Sequence, residues 1–119
     1  MNSVTAPIRI DPGSIDLVAR ALGDGTRRGI LRLVRDDEMP AGELAREFAG
    51  ISRPAVSQHL RVLHEAGLVT IRREGNRRLY RARTEGLAEV WHFIDDMWRD
   101  RLARLKRAAE AEPKGRSNR

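Results

Sequence analysis

Apolar residues recur every three or four positions along most of this chain, which is the spacing of a helix with one buried face. The pattern predicts a first helix near residues 14–22, a second after Asp24, a third over about residues 40–48 and a fourth from Ser52 to a stop at Gly67. Asp24 and Ser52 suit the position before a helix, because their side-chain oxygens can accept from unpaired backbone N–H groups. We therefore expect four helices between residue 14 and Gly67, joined by short turns.

The pattern changes to that of a hairpin directly after Gly67. Residues 68–71 make an apolar strand, the Gly-Asn pair at residues 75 and 76 tolerates the positive φ of a tight turn, and Leu79 and Tyr80 anchor a return strand. A helix, a glycine stop and a hairpin in this order predict a winged helix-turn-helix. The expected fold is mainly α with a small β-hairpin, containing about five helices and a two-stranded wing.

The fourth helix has an outer face whose chemistry suits DNA. A buried stripe of Val56, Leu60 and Leu63 would leave the polar side chains pointing outward. Arginine can donate two hydrogen bonds to guanine, and glutamine can pair with the edge of adenine. The alternative interpretation is an ordinary solvated surface. The candidate DNA-binding residues of this helix are Ser52, Arg53, Pro54, Ser57, Gln58, His59 and Arg61.

The hairpin is strongly basic. Residues 71–83 hold six arginines and one carboxylate, Glu74, for a local net charge of +5. A charge run is usually just a solvated surface, but here it follows a helix suited to the major groove, so phosphate contact is the better interpretation. The candidate DNA-binding residues of the wing are Arg72, Arg73, Asn76, Arg77 and Arg78. A winged helix used only as a protein-interaction module, without specific DNA binding, is the alternative function, and it has no need for this charge.

Composition agrees with one basic domain. The 119 residues carry a formal net charge of +6 and no cysteine, which excludes disulfides and thiolate metal sites and is compatible with the cytoplasm. No apolar run is long enough for a membrane span, and the start lacks the layout of a signal peptide, so we expect a cytoplasmic protein that does not bind membranes. There is no glycine-rich phosphate loop, thiol nucleophile or paired-carboxylate constellation, so no enzymatic activity is expected.

The last helix is expected over about residues 85–111, with a cap at Thr84 and an apolar stripe about six turns long. Two tryptophans on one such helix favour a homodimer interface, with intramolecular packing against the first helix as the alternative. The candidate interface residues are Leu87, Val90, Trp91, Ile94, Trp98, Leu102 and Leu105. Residues 13–111 would form the winged helix-turn-helix domain, residues 1–12 a flexible arm and residues 112–119 a disordered basic tail.

In its combination of motifs the chain resembles the ArsR/SmtB family of bacterial winged-helix repressors. The residues that carry the resemblance are 21–31, 42–45, 57–63, 66–69 and 74–77, within a likeness that runs from about Ile15 to the end of the last helix. One departure is Gly25, where the family usually has proline. The resemblance implies a homodimeric repressor of transcription that binds a pseudo-palindromic site in double-stranded DNA, with the first and last helices pairing across a two-fold axis.

Metal sensing is common in that family, and its ligand patterns can be compared with this sequence. Cysteine ligands on the third helix are impossible here. His92, Asp95 and Asp96 have the spacing of the alternative site on the last helix, but the second histidine of that pattern is missing. We therefore expect no metal and no cofactor, and no effector is identified. Arg27 and Arg28 open the second helix in a family-wide motif and are expected to pair with acidic residues of segment 36–47.

Overall fold

The computed structural model describes residues 13–111, which divide after Leu87 into a winged-helix unit and a separate long helix. The expected arm (residues 1–12) and tail (residues 112–119) lie outside the described residues. The helices are α1 (Gly13–Leu22), α2 (Gly25–Leu33), α3 (Ala41–Arg46), α4 (Arg53–Glu65) and α5 (Ala88–Ala111), with a 3-10 turn at Thr84–Leu87. The strands are β1 (Met39–Pro40), β2 (Val69–Glu74) and β3 (Arg77–Ala82).

The core of the winged-helix unit is built from the predicted helical stripes. On α4, Val56, Leu60 and Leu63 are all at most 1% exposed, which confirms the expected buried face. They meet apolar side chains contributed by every other helix of the unit and by the sheet. Those partners are Val18, Ala21, Ile30, Val34, Leu44, Leu68, Val69 and Tyr80. Burial of this apolar surface is the main force that holds α4 in place.

Two of the three predicted helix caps are present, whereas Thr84 begins the 3-10 turn instead of capping α5. The Asp24 carboxylate accepts from the backbone N–H of Arg27 at 3.1 Å, and the Ser52 hydroxyl accepts from the backbone N–H of Ala55 at 3.2 Å. The hydrogen bond from Arg27 is also the main reason why the pKa of Asp24 lies below its usual range. These caps place the first residues of α2 and α4 where the sequence predicted them.

The sheet has three strands rather than two. β3 lies between β1 and β2 and pairs antiparallel with both, so Met39 faces Tyr80 and Pro40 faces Leu79. The expectation that residue 40 belongs to the third helix was wrong: α3 begins at Ala41 and ends at Arg46. A two-residue strand is too short to show alternation, and a proline is tolerated there because β1 is an edge strand.

Two glycines contact each other where the wing meets the last turn of the winged-helix unit. Gly67 has a φ of +77°, as expected after α4, and its carbonyl accepts from the Arg83 guanidinium at 3.1 Å. A Cβ added to Gly86 would lie 2.3 Å from that same carbonyl oxygen. The turn that contains Gly86 is a 3-10 turn rather than the first turn of α5, so the expected helix start near residue 85 was three residues early.

Replacing Gly86 with Ala is expected to lower the free energy of unfolding by about 1–3 kcal/mol, because a methyl group cannot fit against backbone at this distance. Gly25→Ala is the matched control, since its Cβ would meet only the flexible end of Arg28 at 3.7 Å. That variant should be neutral or gain less than about 1 kcal/mol. Urea denaturation of both variants measures the difference, and equal stabilities would show that the glycine contact is not tight.

Candidate nucleic-acid interface

The outer face of α4 presents the side chains that the sequence selected. Ser57, Gln58 and Arg61 are exposed along the helix, while Arg53 and Pro54 are exposed in its first turn. Ser52 is exposed as well, but its hydroxyl is already used as the helix cap. The helix therefore exposes a polar face whose side chains have the hydrogen-bonding groups that can pair with base edges.

Arg53 departs from that face. A Cβ built on Gly42 would lie 3.7 Å from Cζ of Arg53 and 3.8 Å from both terminal guanidinium nitrogens. The side chain of Arg53 therefore folds towards α3 instead of extending along α4. Sequence periodicity places the backbone of Arg53 on the outer turn, but it cannot tell where a long flexible side chain ends.

His59 also lies apart from the other candidates. Its ring is half-buried, and Nδ1 lies 3.2 Å from a terminal nitrogen of the Arg27 guanidinium. A guanidinium can only donate, so Nδ1 accepts and the proton of the neutral ring is on Nε2. The same guanidinium donates to the carbonyls of Ala21 at 2.8 Å and Arg20 at 3.1 Å. Arg27 thus ties the end of α1 and the start of α2 to the recognition helix.

The expected acidic partners of Arg27 and Arg28 were wrong. Arg28 donates to the carbonyl of Leu22 at 2.7 Å, so both guanidinium groups contact the end of α1. The last carbonyls of a helix have no partner within it, and they carry the negative end of the helix dipole. Two arginines directly after the turn satisfy them locally, which sequence reasoning missed because it considered only carboxylates.

The wing has two chemically different faces. Successive residues of a strand point to opposite sides, and cross-strand partners share a side. Arg73 pairs with Arg78, and Ile71 pairs with Tyr80, on the face that lies beside α4. The opposite face carries Arg72, paired with Leu79, and Glu74, paired with Arg77. We call the first the helix-side face and the second the outer face of the wing.

Carboxylates pair with two arginines on the outer face of the wing. Glu38 accepts from Nε of Arg72 at 3.1 and 3.2 Å, with a further close bond from Nη2. These bonds hold the pKa of Glu38 below its usual range and raise that of Arg72. Glu74 lies 3.3 Å from Arg77 and 3.7 Å from Arg72. Exposed pairs of this kind add little stability, but they reduce the charge that Arg72 and Arg77 can offer to DNA.

The helix-side face keeps its charge. Arg73 and Arg78 are exposed and lie directly opposite each other, and neither side chain has a hydrogen-bond or ion-pair partner within residues 13–111. Like charges placed directly across two strands destabilise the sheet. An anion bound between or beside them would relieve this repulsion. The helix-side face of the wing therefore carries two uncompensated positive charges in the part of the chain that the structure describes.

Two grooves lie beside Arg78. The larger, of about 470 Å³, lies between α3, the first half of α4 and the wing turn. The smaller, of about 240 Å³, lies between α4 and the sheet and includes Arg61 and His64. Both are lined by Ser57, Arg78 and Tyr80. The larger groove also brings in Arg46 of α3, which sequence reasoning did not select because α3 carries no DNA-binding signature of its own.

No metal site is visible in the part of the chain that the structure describes. Residues 13–111 contain no group of three or more histidine, aspartate or glutamate side chains that could share a metal ion. Asp95, one of the weighed ligands, forms an ion pair with Arg99 at 2.9 Å. Within the same residues, no helix is both long and apolar enough to span a membrane.

Comparison with known proteins agrees with this geometry. A family model described as a helix-turn-helix domain matches residues 22–72. An HTH-type transcriptional regulator of Mycobacterium tuberculosis is 41% identical over 99 residues, covering 83% of this chain and 92% of that protein. The transcriptional repressor SdpR of Bacillus subtilis is 38% identical over 77 residues, covering 65% of this chain and 84% of the repressor.

Solved structures extend the likeness. An ArsR-like transcriptional regulator from Rhodococcus sp. RHA1 is 32% identical with a TM-score of 0.66, covering 86% of this chain and 95% of that one. The chain belongs to the ArsR/SmtB family. A homodimeric winged helix-turn-helix DNA-binding domain from Mycobacterium bovis, described as a possible ArsR-family regulator, is 27% identical with a TM-score of 0.58 over 81% of this chain and 92% of that one.

Membership in the ArsR/SmtB family confirms the winged helix-turn-helix prediction. This ArsR/SmtB protein is a DNA-binding transcriptional regulator.

Replacing Arg27 with Met keeps the aliphatic stem but removes two hydrogen bonds from α2 to the end of α1 and one from α2 to α4. We expect the free energy of unfolding to fall by about 1–3 kcal/mol. Arg28→Met, which removes a single exposed bond, is the control and should cost less than about 1 kcal/mol. Nitrogen-15 chemical shifts of the His59 ring provide an independent check. A wild-type ring protonated on Nδ1 would rule out the contact with Arg27.

Proposed function

We propose that the protein is a homodimeric repressor that binds a pseudo-palindromic operator. Each subunit places α4 in a major groove and its wing on the neighbouring sugar–phosphate backbone. The observation that carries the proposal is the Arg73–Arg78 pair, two uncompensated charges beside the exposed face of the recognition helix. A module that binds only other proteins has no use for a repulsive charge pair at that place.

Sequence recognition belongs to the outer face of α4. Gln58 can accept from and donate to the adenine edge, and Arg61 can donate two hydrogen bonds to guanine. Ser57 is short enough to contact either a base or a phosphate, and it lines both grooves. These three side chains are exposed and make no polar contact within the described residues, so the helix enters the groove without first breaking protein hydrogen bonds.

Affinity for the backbone belongs to the helix-side face of the wing. Each phosphate that a protein neutralises releases counterions from DNA, so affinity falls as salt concentration rises. Arg73 and Arg78 are free to make such contacts, whereas Arg72 and Arg77 already share their charge with Glu38 and Glu74. Of the wing residues that the sequence selected, the structure therefore favours this pair.

Dimerisation belongs to α5. None of its residues is buried in the single chain, although it carries large apolar side chains along one broad face. Trp91 is 62% exposed and Trp98 is 57% exposed, and such a contiguous apolar surface marks an interaction site. The exposed apolar residues of this helix are Trp91, Phe93, Ile94, Met97, Trp98, Leu102 and Leu105. A second copy of the chain covers this face and gives the complex the two-fold symmetry of an operator.

Binding of the dimer to its operator explains how it would repress transcription. A dimer that contacts two half-sites covers a length of DNA on which the polymerase cannot assemble at the same time. SdpR, a transcriptional repressor among the relatives, supports this direction of control.

Replacing Arg73 and Arg78 together with Ala is expected to reduce the slope of log affinity against log salt by about 3–4 for a dimer. The loss of affinity should be similar for all DNA sequences, because phosphates carry no sequence information. Fluorescence anisotropy with a duplex of unrelated sequence, over a range of salt concentrations, measures the slope.

The matched control is the Arg72→Ala, Arg77→Ala double variant, which removes the same formal charge from the outer face. Its slope should change much less, because Glu38 and Glu74 already compensate these arginines. Without DNA, the Arg73–Arg78 variant should be at least as stable as the wild type, since a repulsive pair is gone. Equal slope changes in the two double variants would disprove the assignment of the two faces.

Replacing Ile94 with Asp is expected to weaken the dimer by about two orders of magnitude or more, because an unpaired charge would be buried between the subunits. His92→Asp introduces the same charge on the opposite side of α5 and should leave the dimer intact. Sedimentation equilibrium measures both. A wild-type protein that remains monomeric at high micromolar concentration would exclude the dimer.

A further inference from the structure

Three arginines from different parts of the winged-helix unit converge on the larger groove. Arg46 comes from the end of α3, Arg53 from the first turn of α4 and Arg78 from the wing. None of their side chains has a hydrogen-bond or ion-pair partner within the described residues. Arg77, which forms an ion pair with Glu74, lies at the wing end of the groove. Glu43 is the one carboxylate among the described residues that line it. The groove is therefore a positively charged channel.

The position of Arg53 links the channel to α3. The Arg53 guanidinium lies next to Gly42. A Cβ built on Gly42 would lie 3.7 Å from Cζ of Arg53 and 3.8 Å from each of its terminal nitrogens. Gly42 and Arg46 lie four residues apart on α3, and both line the groove. Arg53 thus faces the same space as Arg46 rather than the bases that Gln58 would meet. Its position suits contact with the backbone of a strand that passes beside the recognition helix.

We propose that this groove holds the sugar–phosphate backbone of one DNA strand, with Arg46 and Arg53 as phosphate ligands. The inference rests on the proposed function and deepens it. In this proposal α3 contacts DNA in addition to α4 and the wing. Arg53, which the sequence suggested as a base-contacting residue, contacts phosphate instead. The strand lies between α3 and the wing turn, and Arg78 holds it from the wing side.

The test measures binding of the full chain to a duplex of unrelated sequence as salt is varied. Arg46→Ala and Arg53→Ala should each reduce the slope of log affinity against log salt by about 2 for a dimer. Arg46→Lys should keep the slope, because lysine binds phosphate as a point charge. Arg32→Ala is the matched control: Arg32 is an exposed arginine of α2, has no polar partner in the described residues and lies outside the groove. Its slope should equal that of the wild type.

Gln58→Ala separates the two kinds of contact. It should weaken binding to a selected specific site and leave binding to unrelated DNA nearly unchanged, whereas Arg53→Ala should weaken both by a similar factor. If Arg53→Ala weakened only specific binding, Arg53 would contact bases and the proposal would be wrong for it. Urea denaturation of each variant checks that these exposed substitutions leave the fold intact.

The failures of the two proposals are distinguishable. If Arg46→Ala and Arg53→Ala keep the wild-type slope while the Arg73–Arg78 variant loses it, DNA binding stands and the groove does not hold a strand. If no variant changes the slope, the proposed DNA interface itself is wrong. The groove could also bind a free phosphate ion rather than the phosphates of DNA. Titration of the free protein with inorganic phosphate, followed by NMR of the arginine Nε–H groups, tests this alternative. Saturation of the groove by phosphate, with unchanged slopes for DNA, would assign it to a small anion instead.

Discussion

Burial of Val56, Leu60 and Leu63 fixes the rotation of α4 about its own axis. These side chains are at most 1% exposed, in a core shared with the other helices of the winged-helix unit and the sheet. Because successive residues of a helix are turned by about 100°, burying this stripe leaves Ser57, Gln58 and most of their neighbours on the outside. The hydrophobic core therefore determines which chemical groups face DNA, although none of its own residues can contact it.

The charged residues are arranged around that constraint. Carboxylates compensate arginines on the outer face of the wing, where Glu38 contacts Arg72. Among the described residues no carboxylate compensates the Arg73–Arg78 pair on the helix side, so the free protein tolerates a repulsion that DNA would relieve. The two positive charges thus lower the stability of the free sheet and raise the affinity for DNA. A sheet optimised only for stability would not place two arginines opposite each other.

Local signals in the sequence predicted the helices, the caps at Asp24 and Ser52, the glycine after α4 and the hairpin. Each depends on residues within a few positions of one another, such as Ser52 and Ala55. The missed features join distant residues. β1 pairs with β3 about forty positions later, Glu38 contacts Arg72 and Arg27 contacts His59. The spacing of apolar residues along the sequence does not indicate which distant residues will be in contact. The convergence of Arg46 with Arg53 was missed for the same reason, since it depends on how α3 packs against α4.

Selection of bound duplexes from a random DNA pool by the full wild-type chain tests the central claim most directly. The account predicts enrichment of a two-fold symmetric motif, whose half-sites are centred about one helical turn, roughly 10 base pairs, or a multiple of it apart. Such a motif requires both the outer face of α4 and a symmetric dimer. A bound pool with no enriched sequence would mean that the protein binds DNA only through its charge. A single unrepeated half-site would contradict the dimer.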